Sequence, residues 1–73
     1  MSPHDFADLV NRETGLEVGA DDLHLPFDAL AAWDSMYLIT VATAVETRTG
    51  RNLALVDALD CTTLEGLREL ISR

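Results

Sequence analysis

The chain has 73 residues, 48% of them hydrophobic, and a formal charge of −8 from 13 Asp and Glu against 5 Arg and no Lys. A chain of this length makes one domain, residues 1–73, buries only about 60% of its unfolded surface, and has little material for the walls of a water-excluding catalytic cleft. Its acidity counts against direct binding to nucleic acid or to an anionic membrane, and favours basic partner surfaces.

The hydrophobic content is too high for an intrinsically disordered acidic chain. Cys61 is the single cysteine, so neither an intramolecular disulfide nor a thiolate metal cluster can form. The opening Met1-Ser2-Pro3-His4-Asp5 lacks the basic and then apolar pattern of a secretory leader, and no run of 18 apolar residues offers a membrane span. The expected compartment is the cytoplasm, and Met1 leads to the expectation of a free-standing protein.

The spacing predicts a first helix over Pro3–Thr14. Ser2 is a suitable N-cap and Pro3 suits the first helical position. Phe6, Leu9 and Val10 share one face, and Gly15 can close the helix in a left-handed conformation. A long connection follows from Leu16 to Asp34. Its length suggests that it packs, with Leu16, Val18, Leu23, Leu25, Phe27 and Leu30 available to the core. Asp21 or Asp22 can cap a short turn there, and Pro26 interrupts any continuous helix.

A second helix is expected from Asp34-Ser35 to Thr49, capped by Asp34 and closed by Gly50. Leu38, Ile39, Val41, Ala42 and Val45 make its apolar stripe, with Met36, Thr40, Thr43 and Thr47 on an outward face. Leu53, Leu55, Val56 and Leu59 are expected to cluster around a short third helix near Val56–Leu59. The last helix runs from Leu64 to Ile71, with Leu64, Leu67, Leu70 and Ile71 facing the core. Thr62 with Glu65 fits a capping box, and Thr63 is an equally suitable cap. Three longer helices and one short one make a small all-α four-helix bundle, since amphipathic helices of this size are marginal alone.

The chemically informative residues are Asp34-Ser35. A serine at the start of a helix sits beside unpaired N–H groups and the positive end of the macrodipole, which suits a phosphate ester. The same pair is also an ordinary helix cap. Its setting adds to this. Asp34-Ser35-Met36 opens the second helix, after Asp21-Asp22-Leu23, Phe27, Leu30 and a Trp33 next to the pair. Thr49-Gly50-Arg51-Asn52-Leu53 closes that helix, and Thr63-Leu64 with Leu67 and Ile71 opens and lines the last one. Over nearly its whole length the chain resembles the acyl and peptidyl carrier proteins.

That resemblance implies the four-helix carrier fold and a non-catalytic role. Ser35 would receive 4′-phosphopantetheine from coenzyme A through a phosphopantetheinyl transferase, and Asp34 would cap the helix and help the transferase recognise the site. The thiol would hold an acyl or aminoacyl group as a thioester. An adenylating or acyltransferase enzyme would load it, and a downstream synthase or transferase would receive it. Trp33, Met36, Tyr37, Thr40, Thr43 and Glu46 would form the partner-docking surface. Two departures stand out. Ala32 occupies a position, two before the Asp, where the family often has Gly, and Glu46 is nearly the only acid among Tyr37, Thr40, Thr43 and Thr47 on the outer second helix. The second departure fits a dedicated carrier of polyketide or nonribosomal peptide assembly better than a fatty-acid carrier. An acidic interaction module that takes no cofactor is the contrasting class. A monomer is expected, because the cofactor arm needs an exposed helix end.

Other residue types carry less. Ser35, His24 and Asp21 or Asp22 could compose a nucleophilic triad only with a pocket and an oxyanion hole. His4 and His24 lack metal-site spacing. Cys61 reads as a small packed hydrophobe. Asp5, Asp8, Glu13, Glu17, Asp21 and Asp22 read as a solvated acidic face.

Overall fold

The computed structural model describes residues 1–30 and 32–71. Four helices follow one another: α1 Pro3–Thr14, α2 Ser35–Thr49, α3 Leu55–Leu59 and α4 Leu64–Ile71. Two short 3-10 turns, Ala20–Asp22 and Phe27–Ala29, lie in the α1–α2 connection. The described residues include no strand, only an isolated antiparallel bridge between Pro26 and Thr63. None of the described helices is long and apolar enough to cross a membrane.

Local chemistry sets the helix ends. Ser2 Oγ accepts from the Asp5 N–H at 3.1 Å, and Pro3 starts α1. Gly15 and Gly50 end α1 and α2 with φ of 77° and 70°, a region that costs L-residues their Cβ clearance. Thr63 Oγ1 accepts from the Gly66 N–H at 2.9 Å, which makes Thr63 the cap of α4 and settles the choice against Thr62.

The core is one apolar cluster. Phe6 and Val10 of α1, Val41 and Val45 of α2, Ala58 of α3, and Leu64 and Leu67 of α4 are all buried. Val18 and Leu23 join them from the connection, so that segment does pack. Two expectations need correction. Ile39 is 38% exposed rather than core, because one residue past Leu38 turns about 100° around the helix, away from Leu38, Val41, Ala42 and Val45. Helix α3 begins at Leu55, and its large side chains face water: Leu55 is 47%, Val56 72% and Leu59 50% exposed. Five residues make little more than one turn, so α3 buries only one face, and the small Ala58 fills it.

Polar contacts fasten the long connection. The Asn11 side chain donates to the Val18 carbonyl at 2.8 Å and accepts from the Val18 N–H at 2.7 Å, imitating a strand pair. Asp22 Oδ2 accepts from the Gly19 N–H. The Leu23 carbonyl accepts from Glu65 N–H at 2.9 Å, and Phe27 N–H donates to the Thr62 carbonyl at 3.0 Å. Arg68 pairs with Glu65 and donates to the Met1 carbonyl at 3.1 Å, tying α4 to the chain start. The hydrogen bond from Arg68 lowers the Glu65 carboxyl below its ordinary range, against a smaller opposing effect of burial. The contribution of this pair is therefore present above the ordinary carboxylate range and fades as pH falls through the lowered value.

Candidate functional site

Asp34 precedes α2 in extended backbone, φ −138° and ψ 151°, and its Oδ1 accepts from the Met36 N–H at 3.1 Å. Ser35 is the first residue of α2 and is exposed. Its Oγ donates to the same Asp34 oxygen at 3.4 Å, a long and weak contact. The hydroxyl therefore stands at the positive end of a fifteen-residue helix, open to solvent.

The segment leading to Ser35 is shaped by aromatic packing. The Phe27 and Trp33 rings stack with centroids 4.7 Å apart and planes 7° apart. Trp33 also meets Tyr37, in the first turn of α2, at 5.8 Å and 59°. Such pairs contribute about 0.5–1.5 kcal/mol beyond the area they bury. Between them the chain makes successive tight turns, with Ala29 N–H bonded to Pro26 O and Leu30 N–H to Phe27 O. Ala32 carries φ 61°, the sole positive φ at a non-glycine among the described residues. This is the position where the carrier pattern often has glycine, and alanine there holds a left-handed conformation at a cost of about 1–2 kcal/mol. Ala31 lies outside the described residues.

The six expected docking residues divide into groups. Trp33 and Tyr37 are half-buried in the aromatic contact. Met36 is 63% exposed. Thr40 and Thr43 line a groove of about 590 Å³ between α2 and α1, with Leu9, Arg12 and Ile39 among its other walls, and Glu46 is half-buried outside it. Two of the threonine hydroxyls on this face, those of Thr40 and Thr47, are not free donors. Thr40 Oγ1 donates to the Met36 carbonyl at 3.0 Å, and Thr47 Oγ1 to the Thr43 carbonyl at 3.1 Å. The outer face of α2 is thus less polar than its composition.

The remaining candidates stay apart. Ser35 and His24 share no hydrogen bond, and His24 and His4 are exposed. Among the described residues no three His, Cys, Asp or Glu side chains gather as metal ligands. Cys61 is half-buried against the core, with its thiol 3.5 Å from the Asp57 carbonyl.

The structure is a small helical bundle whose second helix opens on an exposed Asp34-Ser35 pair. A family model described as "Phosphopantetheine attachment site" matches residues 4–71. The chain belongs to this phosphopantetheine-binding family, whose members carry a covalently attached 4′-phosphopantetheine. Searches of curated proteins and of solved structures find no match.

The site fits that group. A phosphodiester on a serine needs an accessible oxygen and a place for one negative charge. Ser35 is exposed, and the helix start favours an anion. The nearby Asp34 carboxylate is partly compensated by the Met36 N–H that it accepts.

Proposed function

We propose that the chain is a carrier protein modified on Ser35, acting in the cytoplasm as a single domain without catalysis of its own. In the modification Ser35 Oγ attacks the pantetheine-bearing phosphorus of coenzyme A. The bond from that phosphorus to adenosine 3′,5′-bisphosphate breaks, and the hydroxyl proton passes to a base of the transferase or to solvent. The bound group supplies a thiol that holds acyl or aminoacyl cargo as a thioester. Asp34 holds the helix start in register, and solvent access at Ser35 keeps the arm free to reach loading and accepting enzymes.

The observation that carries this reading is the exposed Ser35 hydroxyl at the N-terminus of α2 in a chain matched to the attachment-site family over residues 4–71. A dedicated carrier of polyketide or nonribosomal peptide assembly is the reading favoured by α2. Glu46 is its only acid, and the Thr40 and Thr47 hydroxyls turn back on the backbone. Partners would meet Met36, Thr43 and neighbouring apolar surface more than a row of carboxylates, which is the feature a basic fatty-acid enzyme would need.

Intact mass spectrometry before and after incubation with coenzyme A and a broad-specificity phosphopantetheinyl transferase tests the assignment. One phosphopantetheine is gained by the wild type and none by Ser35→Ala, which stays folded because Asp34 still caps α2. A folded wild type that gains nothing, or a Ser35→Ala variant that is still modified, overturns it. Loading the holo form with adenylating enzymes, polyketide acyltransferases and fatty-acid enzymes then separates the pathways.

A further inference from the structure

The aromatic residues around Ser35 form a continuous mechanical link. The Phe27 N–H is anchored on the Thr62 carbonyl at 3.0 Å, so the backbone that carries the first ring is fixed to the α3–α4 turn. The Phe27 ring lies flat on Trp33, and Trp33 meets Tyr37 in the first turn of α2. Asp34 and Ser35 are the two residues in chain order after Trp33, and Tyr37 follows two residues later. The rings thus hold the backbone on both sides of the serine. Ala32 sits at φ 61° within this link, next to Trp33, and a strained residue persists only where its surroundings over-determine it.

We propose that Phe27, Trp33 and Tyr37 are a clasp that fixes the loop-to-helix junction and so sets the direction of Ser35 Oγ for phosphoryl transfer. Trp33 is its central positioning residue. This rests on the reading of Ser35 as the modified serine. The transferase must bring a phosphorus into line with that oxygen, and a mobile junction would spread the oxygen over many orientations. The clasp leaves Ser35 itself open while removing that freedom.

The test is the rate of modification of Trp33→Ala, Trp33→Phe and Phe27→Leu by one transferase with coenzyme A, with kcat and KM separated. Circular dichroism checks the helices, and ¹⁵N order parameters are measured at Asp34 and Ser35. Trp33→Ala is expected to lower kcat roughly tenfold with KM little changed, and to lower the order parameters at the junction but not in the middle of α2. Trp33→Phe keeps a ring and recovers most of the rate. Phe27→Leu keeps apolar volume, loses the stack, and falls in between. Should Trp33→Ala unfold, the Phe27→Leu rate and the Trp33→Phe recovery decide. Wild-type kcat in a folded Trp33→Ala or Phe27→Leu overturns the clasp, as does a loss confined to KM, which would make the ring a transferase contact. A wild type that is never modified removes the Ser35 reading instead, so the two failures are distinct.

Discussion

The two connections flanking α2 differ in the side chains they bury. The one before it, from Leu16 to Asp34, sends Val18 and Leu23 into the core and is bonded to Asn11, Thr62 and Glu65. The one after it carries α3, whose Leu55, Val56 and Leu59 are about half exposed or more, and whose cap residue Ala54 has no side-chain bond to give. The segment that leads to Ser35 is fastened at many points. The segment around α3 is tied by Arg51 to the Ile71 carbonyl at 2.9 Å and packs Leu53 and Ala58, but keeps the larger side chains of α3 at the surface. A short helix with one face to bury leaves large apolar side chains in water, while an irregular segment can turn Val18 and Leu23 inward.

The largest expected effect separates the two connections directly. Leu23→Ala opens a cavity at a position 1% exposed and should cost about 2–5 kcal/mol. That is enough to leave a domain of this size largely unfolded. Val56→Ala also removes branched hydrocarbon, one carbon less, from a position 72% exposed and should change stability by less than about 0.5 kcal/mol. Urea unfolding midpoints at constant slope report both. Equal losses would mean that α3 is held as firmly as the loop, and the contrast would be lost.

Asn11→Ala is next. It removes two half-buried hydrogen bonds and leaves the Val18 N–H and carbonyl without their partner, for a loss of about 2 kcal/mol. Hydrogen exchange sharpens the result. Protection should fall first at Val18 and its neighbours, with α3 unaffected. If α3 exchanges faster as well, the two connections open together and are one cooperative unit.

These features differ in how far the sequence discloses them. The caps at Ser2, Asp34, Gly15 and Gly50 are local chemistry, a side chain or a missing Cβ acting on its own turn, and so they could be read in advance. The core stripes of α1 and α4 follow from a 3.6-residue period. Asn11 carries no such signal, because its partner is seven residues away and beyond a helix end. The exposed face of α3 was concealed by the assumption that Leu and Val seek the core, which fails when one turn has only one face to bury. The exposed start of α2 at Ser35 was legible because Asp34 beside it is a local cap, and the family was legible from the wider pattern. The aromatic contact was not, because the 3-10 turn and Ala32 that bring Phe27 onto Trp33 leave no periodic trace.

Ala32 did leave a trace, in the glycine that carrier proteins often place there, and it gives the smallest prediction. A left-handed alanine costs about 1–2 kcal/mol. Replacing it with glycine removes that cost but returns about 0.5–1 kcal/mol of backbone freedom to the unfolded chain. Ala32→Gly should therefore stabilise the fold by roughly 0.5–1 kcal/mol. The sign matters more than the size, since most substitutions lower stability. Calorimetric melting of the two proteins side by side reads it. A higher melting temperature would show that the fastened connection holds its strained residue against a measurable penalty. A lower one would mean that alanine sits there without strain, and that the stack of Phe27 on Trp33 has nothing to hold in place at Ala32.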